Sequence, residues 1–190
     1  MNSLKLIDWL QILKITYYIK MKRYRSYLTI LLVLLIQISC DKDDENPDIN
    51  KDIVINEFMA VNSYTAADQD GEYDDWIELF NLSSEEIDMS GYYLTDSKNN
   101  LTKWKFPDGT SITGLGYLIV WADGDTNQVG LHTNFKLSSL GEKIILLTPE
   151  LETIDKVEFN AQTNELAYAR VPNGTGDFTW QTATFNYKND

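Results

Sequence analysis

Asp75-Trp76-Ile77-Glu78-Leu79-Phe80-Asn81 decides the fold of this 190-residue chain. Aromatic and β-branched side chains suit a pleated strand, and an Asp70-Gly71 turn precedes the stretch. Strict alternation breaks inside it, with Trp76 next to Ile77 and Leu79 next to Phe80. The same holds for Tyr117-Leu118-Ile119-Val120-Trp121. Apolar residues on consecutive positions predict central strands covered on both faces, or a core face opposed by an exposed aromatic patch.

Further segments of the same character lie to either side: IVINEFMA (Ile53 to Ala60), MSGYYLTD (Met89 to Asp96), KWKFPDG (Lys103 to Gly109), HTNFKLSSLGEKIILL (His132 to Leu147) and LAYAR (Leu166 to Arg170). Short strands punctuated by Asp-Gly, Asn-Gly and Leu-Gly turns predict an all-β sandwich. Nothing after residue 50 sustains an apolar 3.6-residue period, so almost no helix is expected there. Lys103-Trp104-Lys105-Phe106 alternates, which places Trp104 and Phe106 on one face with the lysines in water. In Pro107-Asp108-Gly109, proline presets φ and glycine tolerates φ > 0, the makings of a tight turn. Trp76, Trp104 and Trp121 read as core aromatics; were they clustered on the surface they would mark a site for sugar rings or a partner protein.

Taken in order, Asp75-Trp76-Ile77-Glu78-Leu79, Lys103-Trp104-Lys105-Phe106-Pro107-Asp108-Gly109, Trp121-Ala122-Asp123 and His132-Thr133-Asn134-Phe135-Lys136-Leu137-Ser138 resemble the lamin tail domain, an immunoglobulin-like β-sandwich. The resemblance covers residues 53 to 185 and implies a binding and attachment module rather than a catalyst. It departs at the carboxyl end. Family members close on a Pro-Gly turn after the last strand, whereas this chain reads Thr184-Phe185-Asn186-Tyr187-Lys188-Asn189-Asp190, which predicts a frayed closing strand.

Charge is uneven. Residues 1 to 40 hold six bases and one acid, Asp8, leaving ten bases against 28 acids, a net of −18, in the remainder. Such a surface repels phosphate backbones, so nucleic acid is not an expected partner. The single cysteine, Cys40, precedes the domain, which therefore forms no internal disulfide.

Met21-Lys22-Arg23-Tyr24-Arg25 followed by the apolar run Leu28 to Ile38 has the layout of a secretory signal. As a helix that run reaches about 16 Å, short of the roughly 30 Å hydrocarbon core. Ser39-Cys40 after it resembles a bacterial lipoprotein lipobox, with Gln37 departing from the usual apolar residue, and Asp41-Lys42-Asp43-Asp44-Glu45 resembles a surface-export tag. The expected organisation is an over-extended N-terminus (1–20), a signal peptide (21–39), an acidic tether (40–51) and a lamin-tail-like sandwich (52–187). The expected address is the outer membrane at the cell surface, with the membrane reached through lipid on Cys40. Acyl chains there contribute about 0.8 kcal/mol per buried methylene.

The chain lacks Gly-x-Ser-x-Gly and His-Glu-x-x-His spacings and has one histidine, His132, read as a hydrogen-bonding residue at a strand start. No catalytic residue is expected. The rival reading is a small hydrolase or accessory domain using acidic residues around Glu57, Asp75 and Glu78, favoured by a cleft that holds two of these carboxylates beside an exposed tryptophan and disfavoured by carboxylates scattered over strand ends. Asp68-Gln69-Asp70-Gly71-Glu72-Tyr73-Asp74-Asp75 places five acids within eight residues around a glycine bend. Asp68, Asp70, Glu72, Asp74 and Asp75 are the candidate ligands of a calcium ion, which takes six to eight oxygens at roughly 2.3–2.6 Å; a solvated acidic loop is the alternative. Asp123-Gly124-Asp125 is a second, weaker candidate. Asn81-Leu82-Ser83, Asn100-Leu101-Thr102 and Asn173-Gly174-Thr175 match the glycosylation triplet by chance. The expected role is adaptor for a protein, glycan or envelope component, with a calcium-stiffened spacer as the other alternative.

Overall fold

The computed structural model describes residues 51–190 together with residues 14, 17, 18 and 20–22, which are helical and exposed. No helix among the described residues is long and apolar enough to cross a membrane. The expected signal segment beyond Lys22, the expected lipidation position Cys40 and the expected tether up to residue 50 lie outside the described residues. The chain divides into two compact units, residues 1–46 and 47–190, and the strands belong to the second.

Among the described residues eleven strands are formed: β1 (Ile53–Met59), β2 (Trp76–Asn81), β3 (Ile87–Asp88), β4 (Tyr93–Thr95), β5 (Trp104–Lys105), β6 (Ser111–Ile112), β7 (Tyr117–Trp121), β8 (Gly141–Leu147), β9 (Thr153–Asn160), β10 (Ala167–Val171) and β11 (Asp177–Gln181). A five-stranded sheet runs β11-β10-β1-β2-β7, a four-stranded sheet runs β5-β4-β8-β9, and β3 pairs with β6. Every pairing between these strands is antiparallel.

The core lies between the two larger sheets. Ile55, Phe58, Ile77, Leu79 and Val120 from one cluster with Leu94, Phe106, Ile144, Leu146, Val157 and Phe159 from the other side. Phe58 meets Phe159 with ring centroids 4.6 Å apart. Each such side chain contributes about 1.5–3 kcal/mol by leaving water. The result is an immunoglobulin-like β-sandwich, as expected. No helix interrupts residues 51–190.

All six residues of β2 are buried. Ile77 and Leu79 enter the main core, whereas Trp76 joins a second apolar cluster with Met59, Trp121 and Ala167, against which Ala183 and Phe185 pack. The central strand is therefore covered on both faces, and part of its second cover is the chain's own carboxyl-terminal segment. The expectation of a frayed end is overturned, because side-chain acceptors on β1, on β2 and in the turn after β10 hold this segment. Glu57 accepts from Thr184 N at 2.9 Å, Glu78 from Asn186 N at 2.6 Å and Asn173 from Asn189 N at 2.9 Å. Asn189 is 1% exposed.

Trp76, Trp104 and Trp121 are buried core residues. Phe106 points inward beside Trp104, their rings 4.6 Å apart. Lys105 is exposed as the alternation requires, but Lys103 is not simply in water: its Nζ holds both Asp96 oxygens at 2.7 Å and lies 5.0 Å from the Phe135 ring centre. Gly109 adopts φ 82°, completing the turn anticipated at Pro107-Asp108-Gly109.

Candidate ligand groove and acidic loop

The loop between β1 and β2 is organised by two side chains. Asn62 Nδ2 donates to Ala66 O at 2.6 Å and to Asp74 O at 2.8 Å, bringing the two ends of the loop together. Asp68 Oδ1 accepts from Asp70 N at 2.9 Å and Glu72 N at 2.8 Å, an Asx-type bend. Gly71, at φ 84°, takes the left-handed position within it.

This bend brings together a ligand oxygen from each of Asp68, Glu72 and Asp74, all within 4.8 Å of one another. Asp68 Oδ2 and Asp74 Oδ2 are shielded from solvent and have no hydrogen-bond partner. Gln128, from the loop after β7, donates to Glu72 Oε2 at 3.1 Å, and its own Oε1 is likewise shielded and unpartnered. Burial, then the charges of Asp123, Asp68 and Glu72, raise the Asp74 carboxyl above its ordinary range, with Lys136 opposing. Converging oxygens of this kind suit a hard cation.

The other two predicted ligands are elsewhere. Asp70 is exposed. Asp75 accepts a hydrogen bond from the Leu137 backbone, and burial pushes its carboxyl up to about 7. In the weaker candidate, Asp123 Oδ1 accepts from Asp125 N at 3.0 Å and Asp123 Oδ2 lies 2.6 Å from His132 Nδ1. His132 Nε2 lies 3.2 Å from Val129 O, so both ring nitrogens are engaged in fixing this loop. The histidine follows β7, bridged in parallel to Trp121.

Beside the acidic loop is an open depression of about 340 Å³ lined by Ala67, Asp68, Gln69, Ile119, Trp121, Phe185 and Asn186. Its walls come from the β1–β2 loop, β7 and the carboxyl-terminal segment. Phe185 stands edge-on to Trp76, centroids 5.1 Å apart at 90°, and 5.6 Å from Trp121. Polar groups at Asp68, Gln69 and Asn186 ring an aromatic base, a usual composition for a small binding site.

Glu57 and Glu78 face each other in the register of β1 and β2, both without exposed surface. Burial raises both carboxyls, Glu78 to about 8 with the Glu57 charge adding to the effect. They lie under the carboxyl-terminal segment rather than in an open cleft, and Asp75 is bonded apart from them. The arrangement that favours the hydrolase reading is therefore not formed.

Of the glycosylation triplets, Asn81 is buried and its amide donates to the carbonyls of Glu85, Ile112 and Thr113. Asn173 Oδ1 accepts from both Asn56 and Asn189. Both serve the fold. Sequence reasoning missed Gln128, Thr184, Phe185, Asn186 and Asn189; their partners lie up to 133 positions away, as for Asn189 and Asn56, and no local pattern announces them.

No curated protein matches the chain. The lamin tail domain family model matches residues 47–161, more than half of the chain, spanning β1 through β9. Strands β10 and β11 and the segment that closes over β2 lie past the matched span and complete the same sandwich. With its fold and its family motifs in agreement, the chain belongs to the lamin tail domain family.

Proposed function

We propose that this protein is a non-enzymatic binding and attachment module, carried at the bacterial cell surface by lipid on Cys40, whose ligand surface is the groove between the β1–β2 loop, β7 and the carboxyl-terminal segment. The observation that carries this reading is the groove itself: an open, polar-rimmed depression on an aromatic base. The buried carboxylates best suited to acid–base work are capped by the protein's own chain. The partner is a protein or a glycan of the envelope, held in trans. The net charge of −18 over residues 41–190 disfavours nucleic acid.

The anchor is tested by labelling cells with a palmitate analogue, which should mark the wild-type protein and not Cys40→Ala. The binding role is tested by adding fluorescent residues 46–190 to cells. Saturable binding should be lost on Ile119→Arg in the groove and kept on Leu140→Arg, on a turn where Leu140 is 84% exposed. Equal binding by both variants would remove the groove from the account.

A second reading is favoured by a specific observation, the unpartnered Asp68 Oδ2 and Asp74 Oδ2. In it the acidic loop takes calcium through Asp68, Glu72 and Asp74, and the ion stiffens the domain as a spacer or shapes the groove wall that Asp68 supplies.

A further inference from the structure

The carboxyl-terminal segment, residues 182–190, carries hydrogen-bond bookkeeping that only one protonation pattern satisfies. A threonine hydroxyl has a single hydrogen to donate. Thr184 Oγ1 nevertheless lies 2.6 Å from Glu57 Oε2 and also within hydrogen-bond distance of Asn189 Oδ1, two oxygens that both act as acceptors when Glu57 is ionised. The Asn189 amide is oriented by its Nδ2, which donates to Asn56 O at 3.1 Å, so it is the Asn189 oxygen that faces Thr184. Both contacts are satisfied when a hydrogen on Glu57 Oε2 is donated to Thr184 Oγ1 and the hydroxyl hydrogen goes on to Asn189 Oδ1.

We infer that Glu57 is protonated while the segment is closed, and that residues 182–190 form a proton-operated latch over the outer face of β1 and β2 that rising pH releases. The surroundings agree. Glu57 is fully buried directly opposite a second fully buried carboxylate, Glu78, and among the described residues neither has an ion-pair partner. Of the other titratable and charged groups nearby, Tyr117 on β7 feels Glu78, and Tyr187 and Lys188 on the segment itself act on Tyr117, Lys188 being paired with Asp190 at 3.1 Å. On the far side of β1, Arg170 is committed to Asp155 and to the carbonyls of Ile55 and Gly176. Two buried like charges without a cation strongly favour retaining a proton. Burial raises both carboxyls and outweighs the opposing hydrogen bonds with Thr184 at Glu57 and with Asn56 and Asn186 at Glu78, so ionisation costs the closed state more than the open one, where solvent reaches them.

Opening would withdraw Phe185 and Asn186, one wall of the groove described above. The latch itself stands whether or not that groove takes a ligand, because its readout is the segment alone.

The test is hydrogen exchange by NMR on the full-length chain in detergent, corrected for intrinsic rates and referenced to the β8 amides of Ile144 and Leu146. Protection at Thr184, Asn186 and Asn189 should fall at least about tenfold relative to that reference between pH 6 and 9.5. Glu57→Gln, whose amide donates as the protonated acid does, should stay closed across the same range. Wild-type protection that tracks β8 at every pH, or a Glu57→Gln segment already open at pH 6, would overturn the latch. Should Glu57→Gln not fold, carbon-13 titration of the wild-type Glu57 carboxyl decides: a midpoint above about 6 supports the latch, and one at or below it overturns the latch.

Discussion

Asp155 on β9 grips Arg170 on β10, carboxylate to guanidinium at 2.9 and 3.0 Å, and so ties the four-stranded sheet to the five-stranded one. The pair also repairs β1 where its register with β2 shifts between Ile55 and Glu57: Asp155 Oδ2 accepts from Ile55 N and Arg170 Nε donates to Ile55 O, both at 2.9 Å. The guanidinium lies 4.5 Å from the Phe178 ring centre. One ion pair thus joins β1, β9, β10 and β11.

Removing one partner of a mostly buried pair leaves the other charge unsatisfied. Asp155→Ala should cost about 3 kcal/mol in urea unfolding, a loss of about 8 °C in Tm. A loss below about 0.5 kcal/mol, the scale of an exposed pair, would show that the sheets are joined by apolar packing alone.

Phe185 closes the second apolar cluster against Trp76 and Trp121. Phe185→Ala should cost about 2 kcal/mol, combining lost area with two aromatic contacts, and should shift tryptophan emission to longer wavelength. Unchanged emission would mean that the segment does not cover Trp76 in solution.

Two acids, Asp75 just before β2 and Glu78 within it, set the pH response. Asp75 is raised to about 7 and Glu78 to about 8, both chiefly by burial. Their unfolded values are lower, so between them the folded state binds more protons, and stability is fully present below the unfolded values and lost as pH rises through the folded ones. Tm of residues 46–190 should therefore fall between pH 5 and 9. A Tm that climbs over that interval contradicts both assignments.

If the acidic loop takes calcium, the ion at about 100 times its Kd should contribute about 2.7 kcal/mol and raise Tm by several degrees, reversibly with chelator. Asp74→Asn should abolish the shift and Asp70→Asn should not, since Asp70 stands outside the converging set. An identical shift in both variants would place the ion elsewhere.

Where local pattern and tertiary role coincide, the sequence is informative. The Trp76–Phe80 run announces a central strand because both its faces are buried, and Pro107-Asp108-Gly109 announces its turn because the backbone needs those residues. The sequence groups Asp68, Glu72 and Asp74, whose oxygens do converge, but Asp70 is carried outward by the bend around Gly71. Strand β9 is hidden by Asp155-Lys156, charges that suggest a loop until Arg170 supplies the partner. Strand β11 is only five residues long, with Phe178 and Trp180 set between polar neighbours. The carboxyl-terminal segment is illegible for a different reason: it is ordered by Asn56, Glu57 and Glu78, more than 100 positions earlier.

The most direct test of the account is position-resolved cross-linking on living cells. A photoreactive residue at Gln69, on the groove rim, is compared with one at Leu140. The account predicts a discrete adduct from position 69 and none from position 140. Equal adducts from both positions, or none from position 69 while the protein is surface-exposed, would contradict a groove-based binding role.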